Sequence, residues 1–171
     1  SDAMFDLEPF PERLVIVGGG YIACEFASIF NGLGAQVTQL YRGEQVLRGF
    51  DDEVRHFLAG EMRKAGVDLR LGAQVRALRR TPGGIAVELA GAEGVQTLVA
   101  DTVLYATGRV PNVRDLGLEQ VGVTLGEAGA IVVDDAYRTS VPSILAVGDV
   151  TDRIQLTPVA LAEAMVVVDQ L

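Results

Sequence analysis

The clearest pattern of apolar and polar positions runs through residues 14–41. A β-branched apolar run at residues 14–17 predicts a short strand and leads into three consecutive glycines. Apolar residues then recur at helical spacing, which predicts a helix with one apolar face. That face comprises Ile22, Phe26, Ile29, Phe30 and Leu33. Gly34 signals the end of the helix, and residues 36–41 predict a second strand, so the region forms a β-α-β unit.

Downstream, the pattern predicts a second helix, a third strand and then a change of period. Asp51 and Asp52 mark the start of the helix, because acidic side chains favour the positive end of the helix dipole. Its expected apolar face comprises Val54, Phe57, Leu58, Met62 and Ala65, and Gly66 ends it. Residues 67–71 predict the third strand. Three short segments with period two then predict an antiparallel β-meander, and residues 102–106 return as a strand.

Together these elements predict an α/β fold. We expect a Rossmann-like three-layer nucleotide-binding domain at residues 12–110, in which the inserted antiparallel β-meander replaces the usual crossover helix. Residues 111–171 would form a separate segment. Its last part, residues 158–171, is apolar nearly all round, a pattern typical of a helix buried on every side. Residues 1–3, ahead of Met4, look like a vector remnant and are left out of the fold.

Composition narrows the range of partners. The 171 residues carry a net charge of −9, which argues against nucleic acid as a partner. The sequence contains neither an apolar run of membrane-spanning length nor a secretory leader, so we expect a cytoplasmic chain that does not bind membranes. Cys24 is the single cysteine and is expected to be a packing residue, although the start of a helix favours a thiolate. The single histidine, His56, is expected in solvent, and no metal site is predicted.

The three glycines carry the candidate chemistry. Gly18 permits a tight turn after the first strand, and Gly20 lets the backbone approach a pyrophosphate with no Cβ in the way. Ala23 takes the third small position, where the helix packs close to the strand. The phosphate charge would then lie at the positive end of the helix. This arrangement predicts a dinucleotide site.

The end of the second strand indicates which dinucleotide is bound. An NAD site usually has an acidic residue there to accept a hydrogen bond from the ribose 2′-hydroxyl. This chain instead has Arg42, followed by Arg48, and two guanidinium groups can hold a 2′-phosphate. The pattern therefore favours NADPH over NADH. The other interpretation is two solvated surface arginines, and Glu44 between them would partly neutralise the pair.

Four motifs follow one another along the chain. They are Gly18-Gly19-Gly20-Tyr21-Ile22-Ala23, the loop with Arg42 and Arg48, Ala106-Thr107-Gly108-Arg109, and Ala146-Val147-Gly148-Asp149. In this order the chain resembles the flavin-dependent pyridine nucleotide-disulfide oxidoreductases, and most closely those of the glutathione reductase type. The resemblance covers nearly all of residues 12–171. It implies that residues 111–171 are the central piece of an incomplete FAD-binding domain.

The resemblance also implies roles in holding NADPH. The turn at Gly19 and Gly20 would hold its pyrophosphate, with Ile22 in the first turn of the helix beside it. Arg42 and Arg48 would grip its 2′-phosphate.

Further roles implied by the resemblance concern the transfer of hydride from the nicotinamide to the flavin. Tyr21 would act as a lid over the nicotinamide pocket, and Glu25 would lie near the nicotinamide and pair with a flavin-side lysine; these two are the candidate catalytic residues. Gly108 would line the cofactor cleft. Asp149 would bind the ribityl chain of FAD, and the helix beginning near Thr157 would point its positive end at the flavin ring, where it stabilises developing negative charge.

Several parts of such a reductase are not found in this sequence. The FAD-binding glycine motif, the CxxxxC redox disulfide and the C-terminal dimerisation domain are missing from the 171 residues. We therefore expect the chain to bind NADPH, to retain no FAD, to be inactive alone and to form a homo-oligomer through its apolar tail. The parent enzyme would pass a hydride from NADPH to FAD and then electrons to a disulfide substrate. Glutathione disulfide is the substrate that the resemblance favours.

Two kinds of alternative stay open. Trypanothione, lipoamide and mercuric reductases share most of this framework, although an NAD-linked lipoamide enzyme would carry an acidic residue near Tyr41 or Arg42. In a different class, the chain would be a nucleotide-sensing Rossmann module without catalytic activity. The flavin motifs at Gly148-Asp149 and Leu156-Thr157-Pro158 count against that interpretation.

Overall fold

The computed structural model describes residues 2–91 and 94–171 and divides the chain into two compact units. The first ends at Gly108 and the second runs from Arg109 to Leu171. Ser1, in the expected vector remnant, and residues 92 and 93, in the expected meander, lie outside the described residues. In the described part of the chain, no helix has the length and apolar content needed to cross a bilayer.

The first unit contains a parallel sheet, an antiparallel sheet and two helices. The parallel strands are β1 (Arg13–Val17), β2 (Gln36–Tyr41), β3 (Asp68–Leu71) and β7 (Thr102–Tyr105), in the order β3-β2-β1-β7. The antiparallel strands are β4 (Gln74–Thr81), β5 (Gly84–Gly91) and β6 (Gly94–Ala100). The helices are α1 (Tyr21–Gly32) and α2 (Asp52–Lys64), and a single 3-10 turn (Asp2–Met4) precedes them.

The alternation of side chains along β1 builds the three layers. Leu14 and Ile16 point to one face of the parallel sheet and join the core formed with the two helices. Val15 points to the other face, where it packs with Val87 and Leu89 of the antiparallel sheet. Because successive side chains of a strand face opposite ways, one apolar strand is buried on both sides. The predicted α/β fold, with its antiparallel insertion, is confirmed.

The apolar faces of the two helices differ from those predicted. Ile29 on α1, Leu33 at its C-cap, and Val54 and Phe57 on α2 are exposed. The buried face of α1 instead includes small residues, namely Ala23, Cys24 and Ala27 beside Phe26 and Phe30, and α2 buries only Ala59 and Met62. Small side chains let a helix lie close to a sheet, so the contact stripe follows them and leaves the larger apolar residues on the flank.

A polar cluster at the amino end of β1 joins three chain segments. The backbone N–H of Arg13 donates to Asp101 Oδ2 at 2.8 Å, and its guanidinium donates both to Asp101 and, at 2.8 Å, to the carbonyl of Gly83. The start of β1, the β4–β5 turn and the β6–β7 turn are therefore tied together. Hydrogen bonds from Arg13 lower the pKa of Asp101 below its usual value, and the same pairing raises the pKa of Arg13.

The second unit has little regular structure. It contains a 3-10 turn (Gly148–Thr151) and one helix, α3 (Thr157–Val168). Its small core gathers Val123, Ile131 and Ala146, with partly buried apolar residues packed around them. In α3 the only buried side chain is that of Glu163, whereas Leu161, Met165 and Val168 are exposed. The helix is thus apolar on a surface that no other described segment of its unit covers.

Asp101→Asn tests the polar cluster, because it keeps the shape of the side chain and removes its charge. The folded pKa of Asp101 lies below that of the unfolded chain, which is about 3.9. The carboxylate therefore adds stability above about pH 4, and this contribution is lost as the pH falls through the lower folded pKa. We expect Asp101→Asn to be less stable near neutral pH, and the difference to shrink in acid. Urea unfolding of both proteins across this range measures it, and a difference independent of pH would contradict the assignment.

Candidate functional site

The glycine turn lies where the order of the parallel strands reverses. From β1 the chain moves outward to β2 and β3 on one side and comes back to β7 on the other. In open parallel sheets, ligands bind in the crevice at the carboxyl ends of the strands on either side of such a reversal. Residues 18–20 follow β1 directly and therefore occupy this crevice.

Gly18 is held tightly between the two neighbouring strands. Its φ is +148°, and a Cβ there would lie 2.2 Å from the carbonyl oxygen of Ala106. Its N–H donates to the carbonyl of Leu40 at 2.9 Å, and its own carbonyl accepts from Gln39 Nε2 at 3.0 Å. Only glycine fits this place, as the sequence motif predicts.

The next two glycines have very different surroundings. A Cβ on Gly19 would lie 2.5 Å from the ring of Tyr41, so the turn packs directly on that ring. A Cβ on Gly20 would meet no atom of the described residues within 4 Å, and its φ of −82° is accessible to any residue. Among the described residues, no side chain caps the N-terminus of α1 at Gly20. Open space in front of an uncapped helix N-terminus is a place where a phosphate can bind.

The loop after β2 carries Arg42 and Arg48 beside this turn. The Leu47 N–H donates to the carbonyl of Gly19 at 2.6 Å, so the residue before Arg48 is bonded to the glycine turn. Arg42 and Arg48 are both exposed, and within the described parts of the chain neither guanidinium has a salt bridge or hydrogen bond. Glu44, the acidic residue between them that could partly neutralise the pair, makes no ion pair with either arginine in the described residues. The two cations are available to an anion.

The first turns of α1 present the other predicted residues of this unit. Tyr21 and Ile22 are half-buried against the core, and Glu25 is exposed. Glu25 lines a shallow, largely apolar depression of ≈ 300 Å³ with Cys24, Ser28, Ile29 and Leu58. Gly108, the last residue of the unit, has a φ of +141° and follows two residues after Ala106, whose carbonyl contacts Gly18.

Cys24 behaves as a packing residue and not as a thiolate. It is 5% exposed, and burial raises the pKa of its thiol above the ordinary value. Desolvation therefore outweighs the hydrogen bond from Gln39, which lowers this pKa, and the thiol form expected of a packing residue is favoured. His56 is exposed as predicted, and its Nδ1 lies 2.7 Å from the carbonyl oxygen of Asp52. In the described residues no cluster of metal-binding side chains is present.

The second unit contains the two predicted flavin-side residues. Asp149 is half-buried and accepts from Arg109 Nη2 at 2.7 Å and from Nε at 3.1 Å. Thr157 is exposed and is the first residue of α3, which Leu156 precedes as the N-cap. Glu163 reaches back from α3, and its Oε2 accepts from the Gly148 N–H at 2.6 Å. The turn that carries Asp149 is thereby fixed to the helix.

Sequence reasoning missed three residues that support these sites, namely Gln39, Arg55 and Glu163. Gln39 is completely buried under the glycine turn, and its Oε1 has no hydrogen-bond partner in the described structure. Arg55 extends from α2 to the carbonyls of Gln45 and Val46. A polar residue inside an apolar strand, as at Gln39, is a signal that could have been noticed. The partners of Arg55 and Glu163 depend on the folded loops and leave no such signal.

Several known proteins are similar to this chain over nearly its whole length. The family model for pyridine nucleotide-disulphide oxidoreductases matches residues 1–164. A glutathione reductase of Burkholderia cepacia is 56% identical over 163 residues, covering 95% of this chain and 36% of that protein. A trypanothione reductase of Trypanosoma congolense is 43% identical over 172 residues, covering 99% of this chain and 35% of that protein.

A solved structure shows the same architecture. The HOCl-induced flavoprotein disulfide reductase RclA of Escherichia coli superimposes with a TM-score of 0.88 at 34% identity. The match covers 98% of this chain and 38% of that protein. The chain thus spans a little more than a third of the length of each of these relatives.

Two alanine substitutions separate the structural glycine from the glycine that borders open space. Gly18→Ala should destabilise the fold by several kcal/mol, because the new Cβ would collide with the Ala106 carbonyl at a φ that alanine rarely adopts. Gly20→Ala should keep nearly the stability of the parent, since its Cβ meets no atom. It should nevertheless lower adenine dinucleotide affinity at least about tenfold, because the Cβ occupies the phosphate approach. Thermal unfolding and calorimetry measure the two effects. Unchanged affinity in Gly20→Ala would place the phosphate elsewhere.

Proposed function

The chain belongs to the pyridine nucleotide-disulphide oxidoreductase family, and from this premise we propose that it holds the NADPH-binding domain of a glutathione reductase-type enzyme. The observation that carries the proposal is the pairing of an open helix N-terminus with two arginines on the adjoining loop, where the described residues supply neither a cap for the helix nor a partner for the arginines. The first feature suits the pyrophosphate of any dinucleotide. The two arginines suit only a dinucleotide that carries a further anion on the adenosine ribose.

The residues present fit NADPH group by group. The pyrophosphate binds at the turn of Gly19 and Gly20, where a Cβ on Gly20 would fill the open space. Ile22 borders the same helix start, and Arg42 and Arg48 hold the 2′-phosphate with charge-assisted hydrogen bonds. The strand-end position that carries an acid in NAD sites is filled here by Tyr41 and Arg42, so the strand end itself presents no carboxylate to that phosphate.

At the nicotinamide end, Tyr21 and Glu25 are the proposed catalytic residues. Both lie in the first turns of α1, next to the turn that would hold the dinucleotide. Tyr21 covers the nicotinamide pocket and excludes water from it. Glu25 is exposed and therefore free to pair with a cation supplied by another part of the parent protein. Gly108 lines the cleft with backbone alone, because no side chain extends from it.

In the second unit, Asp149 and Thr157 are the proposed flavin-side residues. The carboxylate of Asp149 suits a ribityl hydroxyl, although it pairs with Arg109 in this structure. The α3 N-terminus at Thr157 has no side-chain cap among the described residues, and it suits a group that gains negative charge on reduction. When bound in the parent enzyme, the two cofactors supply hydride transfer from NADPH to FAD. We propose that the chain alone retains no FAD.

For the substrate of the parent protein we propose glutathione disulfide, in line with the 56% identity to the Burkholderia enzyme. Trypanothione disulfide is the second candidate, since the trypanothione reductase relative is 43% identical over 99% of the chain. We propose a cytoplasmic location, because an enzyme that regenerates thiols works where disulfides are kept reduced.

The nucleotide preference is tested with adenosine 2′,5′-bisphosphate and 5′-AMP, which differ only in the 2′-phosphate. We expect the chain to bind the bisphosphate more tightly. Arg42→Ala should remove about 1.5–3 kcal/mol of that preference, the size of a hydrogen bond to a charged group, and leave 5′-AMP binding unchanged. Arg80→Ala is the matched control, because Arg80 is exposed near the far end of β4. Calorimetry measures both ligands, and equal affinity in the parent chain would defeat the proposal.

The exposed apolar face of α3 carries a second prediction, that the chain forms a homo-oligomer through residues 141–171. Leu161, Met165 and Val168 are 64%, 57% and 60% exposed, and large exposed apolar patches favour association. The net charge of −9 opposes it. Light scattering after size exclusion should show a dimer or larger species, and Leu161→Glu with Met165→Glu should shift it to monomer. A monomeric parent chain would contradict this surface.

A further inference from the structure

The loop that carries Arg48 is held in a shape it would not adopt by itself. Between β2 and α2, residues 42–51 form neither helix nor strand. Leu47 has a φ of +54°, a left-handed conformation that is unfavourable for a branched apolar residue. Arg48 follows immediately, so the position of its guanidinium depends on how firmly Leu47 is fixed.

Two anchors fix the loop, one on each side. On the turn side, the Leu47 N–H donates to the carbonyl of Gly19 at 2.6 Å. On the helix side, Arg55 Nε donates to the Val46 carbonyl at 2.8 Å and Arg55 Nη2 donates to the Gln45 carbonyl at 3.3 Å. The side chains of Val46 and Leu47 are buried between these anchors.

Arg55 is itself held in place. Its Nη1 donates to Asp52 Oδ1 at 2.6 Å, and its side chain is 19% exposed whereas that of Asp52 is 80% exposed. All three guanidinium nitrogens therefore donate to the loop or to the helix that bears them. This use differs from that of Arg42 and Arg48, whose guanidinium groups are unpartnered within the described residues.

From these contacts we infer that Arg55 is a positioning residue for 2′-phosphate recognition. It holds the 45–47 backbone so that Arg48 meets the 2′-phosphate of NADPH, and it does not touch the phosphate itself. The planar, forked guanidinium reaches two successive carbonyls and Asp52 together, which the single ammonium of lysine cannot do. The inference rests on the proposed NADPH site and adds a residue to which neither the motif nor the resemblance gives a role.

The first measurement compares nucleotide discrimination in Arg55→Lys and in the parent chain. Calorimetry with adenosine 2′,5′-bisphosphate and with 5′-AMP gives the ratio of the two dissociation constants. We expect Arg55→Lys to reduce this ratio about tenfold, a free-energy change of about 1.4 kcal/mol, while 5′-AMP affinity stays within about twofold. Because lysine keeps the charge, long-range attraction for the phosphate is preserved. Arg80→Lys is the matched control and should leave both constants unchanged.

The second measurement needs no nucleotide. Amide hydrogen exchange of Leu47 reports whether its bond to Gly19 stays closed. We expect Arg55→Lys to speed exchange at Leu47 about tenfold and to leave exchange at Val15, in the core of β1, unchanged. Equal protection of Leu47 in both proteins would overturn the inference. Should the lysine variant fail to fold, Arg55→Gln replaces it, because the shorter amide cannot hold both the Gln45 and the Val46 carbonyls; unchanged discrimination and unchanged Leu47 exchange there would also overturn the inference.

The outcomes separate this inference from the function on which it rests. Equal affinity of the parent chain for the two nucleotides refutes the NADPH proposal, and Leu47 exchange then still tests the hold of Arg55 on the loop. Discrimination that is strong in the parent chain and unchanged in Arg55→Lys refutes only the positioning role. Discrimination kept by Arg55→Lys but lost in Arg55→Gln, with a strong salt dependence, would mean that Arg55 contacts the phosphate directly and would likewise overturn it.

Discussion

The packing of strand ends in the first unit depends on the close approach of the Gly18 backbone to the carbonyl of Ala106. A side chain at this point would hold β1 and β7 apart, because the Cβ would lie 2.2 Å from the Ala106 oxygen. With glycine there, the Ala106 N–H also bonds to the Val17 carbonyl at 2.8 Å, and Gly18 bonds to Leu40 of β2. Three strand ends therefore converge on one turn. That convergence sets the positions of three segments. They are the start of α1, the loop that carries Arg42 and Arg48, and the segment leading to Gly108.

In each unit, a turn glycine beside a candidate ligand position is held by a buried polar side chain from a neighbouring element. Gln39 donates to the Gly18 carbonyl, and Glu163 accepts from the Gly148 N–H. Both glycines have positive φ, +148° and +73°. A backbone conformation that few residues adopt needs stabilising contacts from outside its own turn. A buried hydrogen bond provides one, because it is stronger where the local dielectric is low. At Gln39 this support leaves one amide oxygen without a partner among the described atoms.

The sequence was most informative where the physical signal is local. The strand before Gly18, the helix after it and the alternation in the meander depend on neighbouring residues, and their bounds agree with prediction to within a few residues. The exposure of Ile29, Leu33 and Phe57 was not predictable from period alone. Which flank of a helix meets a sheet depends on the distance between them, and the small residues of α1 set that distance. The reach of Arg55 to Val46 depends in turn on a loop whose path only the folded chain defines.

The pairing of β1 with β7 has a consequence for how the protein is made. Leu14 lies opposite Thr102 in the sheet, 88 residues further along the chain. During synthesis, one edge of β1 therefore stays unpaired until that partner has been made. At a synthesis rate of about 5–20 residues per second, the ribosome needs roughly 4–18 s to supply it. During that interval the inner strand of the finished sheet is an edge strand with open hydrogen-bonding groups, the kind of surface that recruits other chains. Until residues 102–105 emerge, the nascent polypeptide therefore exposes an open strand edge at β1, the strand that leads into the glycine turn.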